Sequence, residues 1–163
     1  MQRTSWQALI LVYYKIKMKT SRQMTNLQIA KLFRAVAAAL GLSAGDNPPT
    51  GGQVRFRVIA YERAADAVEH ATSEVKDLWD DGKLTELAGV GEAMSSHLDE
   101  LFRTGQVKHF DSLLKNFPPA MFELMEVPGI GPKNAWKLCK ALGISQAHSA
   151  ISKLEKAAKS GRI

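Results

Sequence analysis

Two short segments of this chain share one pattern, in which an apolar residue separates two glycines just before an amphipathic helix. The first segment reads LAGVGEAMSSHL and begins at Leu87, and the second reads VPGIGPKNAWKL and begins at Val127. A short pattern that recurs at a fixed distance indicates a repeated structural unit. Because glycine permits tight turns and a helix follows each copy, the repeat predicts two helical hairpins in one chain.

Helical periodicity continues through the rest of the chain after residue 23. Thr25 or Asn26 is expected to cap a first helix that Gly41 ends, and the Gly- and Pro-rich residues 41–52 are expected to form a loop. No segment of the sequence alternates apolar and polar residues over the length of a strand between two turn signals. The sequence therefore predicts an all-α fold.

Serine and glycine residues mark the ends of the later helices. Ser73 is expected to cap a short third helix, and Ser145 is expected to cap the last helix. Gly105 and Gly143 are expected to end the helices that follow the two glycine pairs, because a left-handed glycine commonly terminates a helix.

Charge is distributed unevenly along the chain, although its net value is +6. Residues 1–23 carry +5, residues 24–102 carry −5 and residues 103–163 carry +6. We expect a poorly ordered basic extension over 1–23, an N-terminal helical domain with the first hairpin over 24–105, and the second hairpin with a C-terminal helix over 106–163. A partner that carries phosphates is expected to meet the basic C-terminal third.

The cysteines and histidines do not indicate a disulfide-bonded or a zinc-binding protein. One cysteine, Cys139, excludes an internal disulfide and is compatible with a reducing cytoplasm. The four histidines are scattered and lack the spacing of a zinc site. The mostly apolar run WQALILVYY in the extension is far shorter than the ~20 residues that span a bilayer. We expect a cytoplasmic protein, associated with the nucleoid if the source is prokaryotic, with no membrane partner.

The glycine pairs are suited to holding a phosphate group. The second glycine of each pair lies where a helix begins, and the first N–H groups of a helix have no intrahelical acceptor. Those amides and the positive end of the helix dipole form an anion site. Such a turn can hold a phosphodiester without reading a base. The residues predicted to contact DNA at the two turns are Gly89, Val90, Gly91, Gly129, Ile130 and Gly131.

The side chains beside the two turns differ in charge. Lys133 and Lys137 lie four residues apart on one helical face after the second turn, and Lys140 extends that face. The first turn is followed by Glu92, whose carboxylate would compete with a phosphate. We therefore expect the second turn to be the stronger DNA contact and the first to be partly structural. The alternative is that both turns are simple helical connections and the lysines a solvated face.

From Met24 to about Gly161 the sequence resembles the N-terminal region of the family X DNA polymerases, the DNA polymerase beta type. The segments that match are MTNLQIAKLF, RVIAYERAADAV, LAGVGEAMSSHLDELFRTG, VPGIGPKNAWKL and ISKLEKAAKSGRI. The resemblance implies tandem helix-hairpin-helix units, the first of which carries lyase activity in the family. It also leaves a monovalent cation, Na⁺ or K⁺, at the backbone carbonyls of a hairpin as a candidate ligand; no other cofactor or metal is expected.

The sequence departs from the family at the residues that carry the lyase chemistry. His97 stands where the family has its nucleophilic lysine, and Ala93 stands where a second lysine contacts a phosphate. A Schiff base requires a primary amine, which imidazole lacks. Arg57 and Tyr61 match a basic and an aromatic position of the family's phosphate pocket, although Tyr61 is equally compatible with a core position.

Three functions are compatible with the sequence. The first is a non-catalytic, monomeric DNA-binding protein of repair or replication, which prefers gapped, nicked or end-containing duplex and tethers a repair enzyme. The second is the N-terminal part of a family X polymerase or a residual lyase, for which Lys83 and Lys108 are the nearest alternative amines. The third is a protein-interaction scaffold, which the acidic middle of the chain favours. No catalytic residue is assigned.

Overall fold

A computed structural model of the chain describes residues 24–45 and 51–163. The described residues form eight α-helices and contain no strand, so the all-α prediction is confirmed. They fall into two compact units. The first unit ends at Leu114, and the second begins at Lys115. The helices of the first unit are α1 (Asn26–Ala44), α2 (Gly51–Glu69), α3 (Val75–Asp80), α4 (Glu92–Thr104) and α5 (Lys108–Leu114), and those of the second are α6 (Pro119–Leu124), α7 (Pro132–Leu142) and α8 (Ala150–Lys159).

Helix α1 begins at a capping box and runs further than the sequence predicted. The Thr25 hydroxyl accepts a hydrogen bond from the Gln28 amide, and the Gln28 side chain accepts one from the Thr25 amide. The predicted end at Gly41 is wrong, because the helix continues to Ala44 and is capped by Gly45. Gly41 lies against the side chain of Val58 on α2, so packing outweighs the ~1 kcal/mol that a glycine costs inside a helix.

The loop predicted over residues 41–52 is shorter than expected. Residues 41–44 belong to α1, and α2 begins at Gly51. Residues 46–50 lie outside the described residues, as does the whole of the predicted extension 1–23.

The core of the first unit forms where α1 meets α2 and α5. The Phe33 ring lies edge-on to the rings of Tyr61 and Phe110, with centroids 5.9 and 6.0 Å away, and the last two are themselves 5.8 Å apart. By length and composition α1 could cross a membrane, but 56% of its apolar window is buried inside the protein. Packing against α2 accounts for that composition.

Helix α3 is capped by a residue that is distant in sequence. The Asn26 carboxamide oxygen accepts a hydrogen bond of 2.8 Å from the Val75 amide, and its nitrogen donates one of 2.9 Å to the Ser73 carbonyl. The predicted cap by the Ser73 side chain is therefore wrong; Glu74 is the N-cap residue and its side chain does not cap the helix. Asn26 thus ties the start of α1 to the start of α3.

The second unit packs α6, α7 and α8 against one another. The Phe117 and Trp136 rings are edge-on with centroids 5.5 Å apart, so this tryptophan packs within the unit. The predicted ends of α7 at Pro132 and Gly143 agree with the structure. The predicted cap of α8 at Ser145 is wrong, because α8 begins after Ser149.

The first compact unit extends beyond the predicted domain boundary at residues 105/106. Gly105 ends α4 in the left-handed conformation, as predicted, with φ of 82°. However, α5 follows it and places Phe110 against Phe33 in the core of the first unit. The two compact units therefore meet in sequence after Leu114.

The Asn26 contact can be tested by replacing the side chain. Asn26→Ala leaves the Val75 amide without its partly buried acceptor, so we expect the free energy of unfolding to fall by about 1–3 kcal/mol. Denaturant unfolding followed by circular dichroism measures the change. Gln53→Ala, which removes an exposed amide from α2, is the control and should change stability by less than ~0.5 kcal/mol. Equal stabilities for the two variants would contradict the capping role.

Candidate nucleic-acid interface

The first turn connects the short 3₁₀ segment Leu84–Glu86 to α4. Gly89 has φ of 97°, a conformation that favours glycine, and the Val90 amide donates to the Leu87 carbonyl over 2.9 Å. Val90, which the sequence placed among the DNA contacts, is buried. Gly91 is the N-cap of α4, with extended backbone angles that any residue can adopt. It has no side chain to cover the first amides of the helix.

The second turn repeats this backbone geometry between α6 and α7. Gly129 has φ of 86°, and the Ile130 amide donates to the Val127 carbonyl over 3.0 Å. Gly131 is the N-cap of α7, with φ of −79° and ψ of 174°. Ile130 is half-buried, in contrast to the fully buried Val90 of the first turn. The sequence repeat thus corresponds to a repeat of structure.

The two turns differ in what surrounds their first glycine. A Cβ added to Gly89 would lie 3.0 Å from the Ala67 Cβ and 3.2 Å from the Arg63 carbonyl oxygen, both on α2. Among the described atoms, none lies within 4 Å of a Cβ added to Gly129. The first turn is therefore packed tightly against a neighbouring helix, whereas the second has free space on the corresponding side.

The second glycines of the two turns are both open. Among described atoms outside its own neighbourhood, none lies within 4 Å of a Cβ added to Gly91 or Gly131. The helix that follows each of them begins without a side chain that caps its first amides. Because Pro132 has no N–H, the first helical amide after Gly131 is that of Lys133. The N–H groups of each turn could therefore donate to a phosphate oxygen, with the positive end of the helix dipole behind them.

Helix α7 presents the three predicted lysines, Lys133, Lys137 and Lys140, as exposed residues. The Lys140 ammonium lies 5.1 Å from the centroid of the Trp136 ring, which holds it near the helix surface. The last two turns of α7 carry no acidic residue in the sequence. Around the second turn, open amides and ammonium groups thus occur on one short helix.

Helix α4 is more acidic. Glu92 is exposed in its first turn, next to the exposed Ala93 that replaces a family lysine. Further along, the Asp99 carboxylate accepts hydrogen bonds of 2.9 Å from the Trp79 indole and from Arg103, which lower its pKa. These groups line a groove of about 580 Å³ beside α4. The first turn therefore has fewer cations near its amides than the second.

Arg57 lies at one end of a stack of aromatic rings. Its guanidinium donates to Nε2 of His109 over 3.0 Å, which places the proton of that neutral imidazole on Nδ1. The His109 ring is stacked on His97 with centroids 5.7 Å apart, and the His97 ring is stacked on Tyr61 at 6.0 Å. We call Arg57, His97 and His109 the imidazole cluster.

The sequence was compatible with either a pocket position or a core position for Tyr61. Its side chain is only 2% exposed and packs against Phe33 and Phe110. Burial raises the pKa of its hydroxyl to about 12, although the charge of Arg57 opposes the shift. Tyr61 is thus a neutral core residue that supports the His97 ring.

Both histidines of the imidazole cluster are held in the neutral form near pH 7. Burial lowers the pKa of His97, and the nearby His109 and Arg57 lower it further, against the effect of Glu100. Burial and the charge of Arg57 likewise lower the pKa of His109. The position of the family's nucleophilic lysine is therefore occupied by an uncharged ring that cannot form a Schiff base.

Two residues near Arg57 were not identified from the sequence. His109 comes from α5, 52 residues away, and no local pattern links it to Arg57. Phe56 is 74% exposed between Arg55 and Arg57, although a large apolar side chain is usually covered. An exposed aromatic ring beside arginines is typical of surfaces that bind unpaired nucleotides, and this signal was present in the letters RFR.

The alternative amines and the predicted cation stay predictions. The Lys83 ammonium lies 3.5 Å from the Asp81 carboxylate, and Lys108 is exposed. Among the described residues there is no group of three or more His, Cys, Asp or Glu side chains that could hold a metal. The Leu87 and Val127 carbonyls each accept one amide and retain a second lone pair, so a monovalent cation there stays a prediction.

Comparison with known proteins identifies the family. The profile of the helix-hairpin-helix domain matches residues 24–107. This chain belongs to the helix-hairpin-helix domain family. The helix-hairpin-helix chain is also 31% identical, over 126 residues, to the DNA polymerase/3'-5' exonuclease PolX of Bacillus subtilis (strain 168). The resemblance to family X polymerases is therefore confirmed.

The match covers very different shares of the two proteins. It includes 77% of this chain but only 20% of the Bacillus polymerase, so the helix-hairpin-helix chain spans about a fifth of that relative's length. Membership of the family and the similarity to a polymerase both support DNA binding.

The packing of Gly89 predicts a difference between neighbouring glycines of one turn. Gly89→Ala introduces a Cβ against Ala67 and forces a side chain into positive φ, so we expect a loss of about 2–4 kcal/mol in the free energy of unfolding. Gly91→Ala is the matched control: it has room and ordinary backbone angles and should cost less than ~1 kcal/mol. Denaturant unfolding measures both, and a reversed order would show that α2 does not constrain the turn.

Proposed function

We propose that this protein binds the phosphate backbone of DNA without reading base sequence, holds duplex DNA near gaps, nicks or ends, and performs no chemistry itself. The observation that supports this most directly is the second turn, where an open N-cap glycine is followed by a lysine-bearing helix. Backbone amides and ammonium groups contact phosphates and do not distinguish bases.

The two turns would contribute unequally. At the second, the Gly129 and Gly131 amides would face a phosphate while Lys133, Lys137 and Lys140 neutralise its charge. Ile130, whose amide donates to the Val127 carbonyl, would fix the shape of the turn. At the first, the packing of Gly89 on α2 and the exposed Glu92 favour a structural role with weaker phosphate contact. Val90 would act by fixing that turn from inside, and Gly91 would supply its amides. We expect a Kd in the ~10⁻⁴–10⁻⁶ M range typical of non-specific contacts at physiological salt.

The absence of catalysis is part of the proposal. Schiff-base lyase chemistry needs an amine where His97 stands. Nucleotidyl transfer needs carboxylates that hold two metal ions, and the described residues contain no metal-binding cluster. Trapping with borohydride on an incised abasic site should therefore give no adduct, and an adduct at Lys83 or Lys108 would show a lyase.

A second candidate follows from the similarity to the Bacillus polymerase. The helix-hairpin-helix chain could serve as the DNA-holding part of a family X polymerase in base-excision repair, with the same contacts. A role in repair or replication, a repair enzyme as partner, a monomeric state and a cytoplasmic or nucleoid location belong to the same proposal. Nucleotide incorporation by a longer form of this chain would favour the polymerase.

The amide site of the second turn can be blocked without disturbing the fold. Gly131→Val places a branched side chain where the DNA backbone would approach the turn. We therefore expect DNA affinity to fall about tenfold or more while the melting temperature changes little. Fluorescence anisotropy with a gapped duplex measures binding. The same substitution at Gly91 is the control and should weaken binding less. An equal loss at both positions would show that the turns contribute equally.

The lysine contacts predict a change in salt dependence. Lys133→Ala should weaken binding to every duplex about equally and reduce the slope of log affinity against log salt by roughly one unit. Lys159→Ala is the control, because Lys159 lies at the end of α8 and not on the helix that follows the second turn. Anisotropy titrations at several salt concentrations measure the slopes. A preference of more than about tenfold between duplexes that differ only in sequence would contradict backbone binding.

A further inference from the structure

The part of the first unit formed by α3, the 3₁₀ segment and α4 carries a charge that DNA binding does not explain. Residues 74–100 contain eight carboxylates and two lysines, so their net charge is −6. Both lysines are paired with aspartates, Lys76 with Asp80 and Lys83 with Asp81. A surface of this charge repels phosphates, so the DNA contacts at the second turn make no use of it.

Four of these carboxylates are exposed and have no ion-pair partner within the described part of the chain. They belong to Glu74, Asp77, Glu86 and Glu92. The elements that carry them, α3, the 3₁₀ segment and α4, contact one another. Because an unpaired carboxylate is free to meet an incoming cation, this surface is suited to a ligand that carries several positive charges.

A groove of about 580 Å³ lies along the same elements. Its volume falls in the ~300–1,000 Å³ range of ligand sites. Among its described lining residues the only cation is Arg103, which donates to the Asp99 carboxylate over 2.9 Å. The polar groups of its walls are the carboxylates of Asp80, Glu92 and Asp99 and the hydroxyls of Thr85, Ser95 and Ser96. The groove therefore offers hydrogen-bond acceptors and an uncompensated negative charge at Glu92.

The half-buried Trp79 indole gives the groove a flat wall. Its N–H donates to the Asp99 carboxylate over 2.9 Å, which fixes the orientation of the ring. The Lys76 ammonium lies 4.5 Å from the ring centroid, so this indole already attracts one cation of the chain. A planar guanidinium can stack on an indole and pair with a carboxylate at the same time, which an ammonium cannot do. An indole beside a carboxylate therefore favours arginine over lysine.

We propose that the groove lined by Trp79 and Glu92 is the docking site for an arginine-rich segment of a partner protein. One arginine stacks on the Trp79 ring and pairs with the Glu92 carboxylate, and the other cations of the segment pair with the exposed carboxylates of α3 and the 3₁₀ segment. The inference goes beyond the proposed function, because it adds a protein-binding surface that is independent of the DNA contacts.

The distribution of charge favours a peptide segment over a small cation. The unpaired carboxylates extend from Glu74, at the start of α3, to Glu92, at the start of α4. Helix α3 alone is ~9 Å long, at 1.5 Å per residue. An extended peptide advances ~3.3 Å per residue, so arginines at alternate positions are ~7 Å apart and can reach separate carboxylates. A single guanidinium can meet only one of them.

The test uses the full chain and a short fluorescein-labelled peptide in which arginine alternates with serine. We expect this peptide to bind, and a peptide with lysine in place of arginine to bind at least about threefold more weakly, because an ammonium cannot stack on the indole. A peptide with glutamate in place of arginine should not bind. Fluorescence anisotropy at low salt measures the Kd values. No binding of the arginine peptide, or equal binding of the arginine and lysine peptides, would overturn the inference.

A matched pair of variants separates the groove from the net charge of the protein. Glu92→Gln should weaken binding of the arginine peptide about threefold to fivefold, as expected for the loss of one ion pair. Glu62→Gln removes the same charge from an exposed position on α2 and should change the Kd less than about twofold. Equal losses in the two variants would show that the peptide responds to net charge alone, and the groove would lose its assigned role.

NMR spectroscopy of the wild-type protein locates the peptide without any substitution. The indole N–H resonance of Trp79 should shift on addition of the arginine peptide, whereas that of Trp136 in the second unit should stay unchanged. A peptide that binds without shifting the Trp79 resonance would lie elsewhere, and the inference would fail.

Two other occupants of the groove give different results. Gapped DNA that shifts the Trp79 resonance as the arginine peptide does would show that the groove takes nucleic acid. Spermidine that binds as tightly as the arginine peptide would identify a site for small cations. Either result would overturn the inference and leave the proposed function intact, because DNA binding at the second turn is measured separately with a labelled duplex.

Discussion

Three aromatic rings determine the geometry of the first unit and of the cluster at its surface. Phe33, Tyr61 and Phe110 come from α1, α2 and α5 and pack edge-on, which adds about 0.5–1.5 kcal/mol per pair to the burial of each ring. The His97 ring is stacked on the same Tyr61 ring. The position of the two imidazoles next to Arg57 is therefore a consequence of core packing, and a change in the core would displace the surface cluster.

The two hairpin turns show that one backbone geometry can serve different purposes. Both use a glycine at positive φ and a second glycine as N-cap, and both close with the same hydrogen bond. The difference lies in the neighbours: a Cβ at Gly89 would press against α2, whereas a Cβ at Gly129 would meet no described atom within 4 Å. The first turn is held against α2 and is followed by Glu92, whose carboxylate repels an anion. The second turn has free space at its first glycine and is followed by lysines, which attract an anion.

The parts of the fold that depend on local chemistry could be predicted from the sequence. The ends of α4 and α7 at Gly105 and Gly143 were correct because a left-handed glycine terminates a helix wherever it lies. The cap of α3 was missed because Asn26, 49 residues from Val75, supplies it. The same holds for the candidate site. The two turns were recognised from the spacing of their glycines, whereas the pairing of Arg57 with His109 arises only from tertiary contact.

The resemblance implies a lysine at position 97, and the imidazole that stands there differs from an amine in charge as well as in nucleophilicity. An exposed lysine ammonium keeps its charge up to about pH 10, whereas burial lowers the pKa of His97, so this ring is neutral near pH 7. Arg57 lies beside the two imidazoles and donates to one of them. Lysine ammonium groups, such as those of α7, give an attraction to phosphates that depends on salt. The two units thus differ in charge: three exposed lysines follow the second turn, whereas the His97 ring stacked on Tyr61 in the first unit is neutral near pH 7.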